Sequence, residues 1–383
     1  MRAITFLQPQ RLTFGNGCMA QAVEYLKSLP ERRIHIVHSA SMSAVADDIR
    51  RQLESSGCTV STDCAGAGEP TIDAFNTALA RARGFDPTCV LGVGGGSALD
   101  LAKLIAAFTR SDQRIEEVFG IGLLDSRNCG LVCVPTTSGT GSEVSPNAIL
   151  LDEAEQLKKG VISPHLVPDA ALVDPELTRS VPPTVTAYTG LDALTHCVEA
   201  YTNKVSHAMV DLYALEGVRL CARFLARAVA NGEDVEAREG MSLASLYGGL
   251  CLGPVNTAAV HALAYPLGGE FHLPHGLSNA VLLPAVFRFN AEASPERHAM
   301  VAQALGVARR GSAMETARAG AKRLEELARE CGIDTNLSSH GLERASVPRM
   351  AAAAMTVTRL LRNNPREITE QDAERIYEQC FGR

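Results

Sequence analysis

Between Arg33 and Asp174 the chain alternates short apolar runs with stretches of helical spacing. The runs are Ile34-His35-Ile36-Val37, Cys89-Val90-Leu91-Gly92-Val93 and Leu131-Val132-Cys133-Val134, rich in β-branched residues and too short for helices. Such alternation implies a parallel sheet with helices on both faces. After Ala171-Leu172-Val173-Asp174-Pro175 the strand signal stops. Ser180-Val181-Pro182-Pro183 then marks a boundary, because proline continues neither a helix interior nor a central strand. Beyond it, apolar residues return at three- and four-residue spacing over 184–201, 208–230, 313–331, 347–361 and 370–380, which predicts helices. The pattern implies an α/β domain over 1–180 followed by an all-helical domain over 181–383, with no internal repeat.

Composition narrows the partners. The 383 residues are 46% hydrophobic, enough for two cores, and the net charge of -7 argues against a nucleic-acid or anionic-membrane surface. Small molecules remain. Eleven cysteines, odd in number and without a C-x-x-C pair, read as reduced thiols of a cytoplasmic protein. No apolar run approaches the ~20 residues of a membrane span, and the first residues carry no long apolar leader segment.

Two loops are candidates for ligand binding. Gly92-Val93-Gly94-Gly95-Gly96-Ser97 lies between a strand and a helix predicted over 98–108, where backbone N–H groups and the helix dipole favour a pyrophosphate. A tight turn without a ligand fits the same residues. The loop is expected after the second or third strand, and Glu116 and Glu117, about 20 residues on, end no clear strand, so the common dinucleotide fingerprint is absent. Pro135-Thr136-Thr137-Ser138-Gly139-Thr140-Gly141-Ser142-Glu143 follows another apolar run and is dense in hydroxyls. Two such loops at the same ends of strands form the rim where open α/β sheets bind ligands.

The helical half offers a metal-ligand set. Asp192 and His196, four apart, share one face of a helix, and His261 and His275 follow in two further clusters. One carboxylate and three imidazoles suit Fe(II) or Zn(II) better than Mg(II) or Ca(II), which prefer all-oxygen shells. Spacing alone also fits histidines of an apolar core.

In these segments the sequence resembles the iron-containing (group III) alcohol dehydrogenase family, from Phe14-Gly15-Asn16-Gly17 through Gly94-Gly95-Gly96-Ser97-Ala98-Leu99-Asp100-Leu101-Ala102-Lys103, the 135–143 loop and 190–201, to 261–283 and Asn363-Asn364-Pro365-Arg366. The resemblance implies a Rossmann-like dinucleotide domain joined to a helical metal-binding domain, in a homodimer or higher homo-oligomer. It implies hydride transfer between NAD(P)H and a small alcohol, aldehyde or ketone, positioned in a cleft between the domains. By resemblance Asp192, His196, His261 and His275 hold the metal, with Fe(II) favoured and Zn(II) open. Gly94, Gly95, Gly96 and Ser97 take the pyrophosphate, Asp100 lies near the reacting end of the cofactor, and Thr136, Thr137, Thr140 and Lys158 contact it.

This chain departs from the family at two places. Many members carry Asp just after the first strand, where it bonds the adenosine ribose and repels a 2′-phosphate. Here the stretch is Val37-His38-Ser39, and Ser39 leaves NADPH unopposed. Many members also carry a second His four residues after the third ligand, where this chain has Tyr265, which makes His272 the replacement candidate for proton delivery. Two other functions share the architecture: a maleylacetate-reductase-like oxidoreductase acting on an oxoacid, and a dehydroquinate-synthase-like lyase. The intact ligand set speaks against the first, and the absence of Lys and Arg over 247–280 speaks against the second.

Overall fold

The computed structural model describes residues 2–66 and 68–382. Two compact units emerge: Phe6–Thr137 with Gly141–Arg179, and the chain from Ser180 onward with Ser138–Thr140 and the segment ending at Thr5.

The first unit runs β1 (Arg11–Phe14), α1 (Ala20–Lys27), β2 (Arg33–Ser39), α2 (Ser43–Glu54), β3 (Thr59–Ala65), α3 (Ile72–Phe85), β4 (Cys89–Gly94), α4 (Gly96–Phe108), β5 (Gly120–Ile121), β6 (Gly130–Pro135), β7 (Asn147–Asp152), β8 (Leu157–Ile162) and β9 (Ala170–Val173). Six of these strands form a parallel sheet in the order β1-β9-β6-β4-β2-β3, and β5, β8 and β7 form a small second sheet. Successive side chains of a strand point to opposite faces. Val37, Val90, Leu131 and Cys133 therefore join one core with Phe75, Leu99, Ile105 and Phe108. Ile34, Ile36, Leu91, Val93, Val132 and Val134 join the other with Leu26, Ile49 and Leu53. Burial on both faces is why the strands read as continuous apolar runs.

Strands β1 and β3 escape that pattern for a physical reason. Each is an edge strand with one neighbour, β1 only four residues long and β3 (Thr-Val-Ser-Thr-Asp-Cys-Ala) largely polar. The glycine loop therefore follows the fourth strand rather than the second or third. Its glycines also serve packing: a Cβ on Gly92 would stand 2.9 Å from that of Ala102, and one on Gly94 2.8 Å from that of Ala98, so α4 lies directly on β4.

The second unit contains α5 (Pro183–Thr202), α6 (Ala208–Ala230), α7 (Val235–Leu252), α8 (Ala259–Gly269), α9 (His275–Ala291), α10 (Pro295–Ala304), α11 (Ala313–Glu330), α12 (Val347–Met355), α13 (Thr358–Leu361) and α14 (Glu370–Gln379). Pro183 is the first residue of α5, a position where the missing N–H costs nothing and the fixed φ suits the helix. The helix expected over 347–361 is two, α12 and α13, because Val357 leaves the helical region (φ -82°, ψ 49°). Helix α5 is enclosed, with every residue from Gly190 to Thr202 buried. Glycines let its neighbours close on it: a Cβ on Gly276, next to His275, would stand 2.1 Å from the Tyr188 carbonyl oxygen. No helix among the described residues is long and apolar enough to cross a membrane.

Candidate metal centre and cofactor loops

Three helices bring the ligand candidates together. Helix α5 presents Asp192, His196 and Glu199 at i, i+4 and i+7, one stripe of an otherwise apolar helix. His261 lies in the first turn of α8, and His275 opens α9. Asp192 Oδ1 is 3.5 Å from His261 Nε2, 3.6 Å from His275 Nε2 and 3.8 Å from His196 Nε2. Ligands ~2.0–2.2 Å from a tetrahedral ion stand roughly 3.3–3.6 Å from each other, close to these separations. Asp192, His261 and His275 each offer an atom to one group within 4.8 Å. His196 stands beside it, its ring stacked on that of His261 at 4.8 Å and 14°. One carboxylate and three imidazoles, all buried except the partly exposed His275, fit a divalent first-row ion.

Charge reinforces the fit. Burial would raise the Asp192 carboxyl, but His196, His275 and His261 hold it well below the usual carboxylate range. His261 behaves in the opposite sense. Burial works against its imidazolium, yet Glu199 and Asp192 push it up to about 9.

Two neighbours of the site escaped the sequence reading. Glu199 Oε2 lies 2.6 Å from His261 Nδ1, and its Oε1 accepts the Val260 N–H at 2.6 Å. A carboxylate behind a ligating imidazole fixes its tautomer and turns Nε2 toward the ion. Asn279, one turn after His275, donates Nδ2 to Asp192 Oδ1 at 2.7 Å, while its Oδ1 is buried without a partner. Both had a signal: each is a polar residue on the same helical stripe as a ligand. Replacing Glu199 with Gln removes the charge and keeps the shape. Chelator competition should show affinity for Fe(II) or Zn(II) falling about 10- to 100-fold, and unchanged affinity would remove Glu199 from the site.

Tyr265 and His272 lie on the stretch of chain between His261 and His275. The Tyr265 hydroxyl accepts from Arg359 Nη2 at 3.2 Å. His272 is exposed in the turn between α8 and α9, in left-handed backbone at φ 56°, a region that histidine enters more readily than most residues.

In the first unit, Ser39, at the end of β2, lies beside the glycine loop: a Cβ on Gly94 would stand 3.1 Å from its Oγ. The Thr136 N–H donates to the Gly94 carbonyl at 2.9 Å, and Thr137 lies against Gly95. Gly95 caps α4, whose first residues are Gly96 and Ser97. Thr140 belongs with Ser138 and Gly139 to the helical unit. Both Asp100 oxygens are engaged by the protein, accepting from Ser142 Oγ at 2.5 Å and from the Ile149 N–H at 3.0 Å. Lys158, on β8, pairs with Glu69.

These features define a class: a nucleotide-type parallel sheet carrying a glycine loop, and a helical unit with an Asp/His metal centre. Residues 9–175 match the family described as Iron-containing alcohol dehydrogenase, and residues 186–381 match Fe-containing alcohol dehydrogenase family, C-terminal. The long-chain-alcohol dehydrogenase 1 of Geobacillus thermodenitrificans (strain NG80-2) is 38% identical over 375 residues, 96% of this chain and 94% of that protein. A solved 1,3-propanediol oxidoreductase has a TM-score of 0.95 at 32% identity, covering 99% of this chain and 100% of that one. A sulfoacetaldehyde reductase from Bifidobacterium kashiwanohense, solved in complex with NAD+, has a TM-score of 0.87 at 27% identity, covering 99% of each chain. The chain belongs to the iron-containing alcohol dehydrogenase family. It is an oxidoreductase acting on CH–OH groups of small alcohols, or on the corresponding aldehydes, with NAD(H) and an iron-type metal.

Proposed function

We propose that the enzyme reduces small aldehydes or ketones, and oxidises the alcohols in reverse, with Asp192, His196, His261 and His275 as the metal ligands. The carrying observation is the spacing of Asp192 Oδ1 from three imidazole Nε2 atoms at 3.5, 3.6 and 3.8 Å. These four residues would hold Fe(II) by first choice, or Zn(II), which would supply Lewis-acid chemistry for the substrate oxygen. The protein's own part is positioning. Glu199 and Asn279 orient His261 and Asp192, and His272 supplies the proton that the product oxygen needs when hydride reaches its carbon. Gly94, Gly95, Gly96 and Ser97 cradle the pyrophosphate at the start of α4. Thr136, Thr137, Thr140 and Lys158 line the rest of the cofactor. Asp100 serves this site by holding Ser142 and Ile149 in place. Eleven free cysteines fit the reducing cytoplasm, and the working enzyme is a homodimer or larger homo-oligomer. Dialysis against a chelator, followed by NAD(P)H oxidation across an aldehyde panel, tests the reading. Activity that survives complete metal removal refutes it.

Cofactor choice follows from Ser39. A serine beside Gly94 places no negative charge against a 2′-phosphate, so NADPH is accepted alongside NADH. Ser39→Asp should shift preference toward NADH by roughly 1–3 kcal/mol, through charge repulsion plus a new ribose hydrogen bond. Ratios of kcat/KM for the two cofactors measure it. A wild type confined to NADH, with no shift in the variant, would show that Ser39 does not face the ribose.

A further inference from the structure

Helix α8, which carries His261, begins without a cap of its own. Its N-cap residue Ala258 has φ -138° and ψ -132° and no side-chain acceptor to offer. The residues that lead into the helix, Val255, Thr257 and Ala258 among them, are buried outside any helix or strand, where carbonyl and N–H groups need partners from elsewhere. Side chains distant in sequence supply them. Glu199 Oε1 accepts the Val260 N–H at 2.6 Å, in the manner of a cap. Asn203 Nδ2 donates to the Val255 and Asn256 carbonyls, each at 3.2 Å, and Asn363 Nδ2 donates to the Thr257 carbonyl at 2.8 Å.

Both amides are themselves fixed. Asn203 ends α5 one turn past Glu199, is buried, and accepts the Val205 N–H on its Oδ1 at 2.9 Å. The Asn363 carbonyl accepts the Lys204 N–H at 2.8 Å, so the end of α5, residues 255–257 and Asn363 meet at one joint. His261 lies one turn past Thr257, and the joint therefore sets how its Nε2 faces Asp192 Oδ1 at 3.5 Å. Metal ligands act within about 0.2 Å of their ideal distances, so a small drift there costs affinity. Asn364, the next residue, serves elsewhere: it exchanges amide bonds of 2.8 and 2.7 Å with Asn290, near the end of α9 away from His275.

We propose that Asn203 and Asn363 are positioning residues for the metal centre, which hold residues 255–257 and so set where His261 stands relative to Asp192 and His275. This rests on the reading that those three residues hold the ion. Chelator competition with Fe(II) or Zn(II) on the full-length protein compares metal-bound with metal-free folded states, so a residue that only stabilises the fold leaves the affinity unmoved. Asn363→Ala should weaken it about 10-fold, and Asn203→Ala at least as much, since two carbonyls lose their donor. Asn363 is only partly buried and gives up one side-chain bond, so its variant keeps the fold. Asn290→Ala is the control: it breaks a buried amide pair of the same unit, and should lower the metal-free thermal midpoint while metal affinity stays at the wild-type value. Affinity that Asn363→Ala and Asn203→Ala leave unchanged, or that all three variants lower alike, overturns the proposal and leaves the ligand set standing. A wild type that binds neither ion overturns both.

Discussion

His275→Ala yields enzyme without stoichiometric iron or zinc and without measurable aldehyde reduction, while its helical circular dichroism stays near wild type. The ligand atoms converge from α5, α8 and α9, so removing one leaves three donors and an open side, and affinity for a borderline ion falls steeply. His275 is the cleaner of two variants. Its side chain is 27% exposed, whereas His261→Ala strands the Glu199 carboxylate in a buried site. An unpaired buried charge costs about 3–5 kcal/mol, so His261→Ala should lose stability as well as metal, and adding Glu199→Gln should recover part of the loss. Elemental analysis after reconstitution under reducing conditions decides the matter, and a stoichiometric ion retained by His275→Ala would refute this ligand set. The metal must also displace a proton from His261, which Glu199 and Asp192 push up to about 9. Affinity should therefore rise with pH, by up to ~10-fold per unit, until about pH 9, and then level off.

The fold was legible where burial imposes a period. Central strands β4 and β6 are covered on both faces and read as apolar runs, and α6 repeats its apolar residues over 23 positions. Edges were illegible for the converse reason: β1 and β3 lack a second neighbour, and polar residues are tolerated there. The hairpin of β7 and β8 turns through Asp152-Glu153-Ala154-Glu155-Gln156, a charged stretch without the usual glycine, with Gln156 itself at φ 51°.

At the site, the i, i+4 spacing of Asp192 and His196 shows their shared face directly. Nothing local says that α8 and α9 end beside that face. That convergence depends on contacts between distant residues, such as Gly276 against Tyr188. Glu199 and Asn279 were overlooked because a polar residue in an apolar helix has many uses, and only the fold shows what each one touches.

Proton delivery carries the last expectation. Reduction of an aldehyde gives the substrate oxygen a negative charge that a proton must neutralise. The donor needs to exchange near neutrality, as an imidazole does at ~6.5 and a phenol at ~10 does not. His272 stands three residues before His275 and is exposed, which makes it the expected relay between solvent and the substrate oxygen. His272→Ala should lower kcat about 10- to 1000-fold with metal content unchanged, the lower end allowing water to replace the imidazole. Added imidazole should restore part of the rate in that variant. Tyr265→Phe should act mainly on KM and substrate preference, since it removes the hydroxyl that holds Arg359. A pH–rate profile that loses an ionisation in Tyr265→Phe and keeps it in His272→Ala would reverse the two roles.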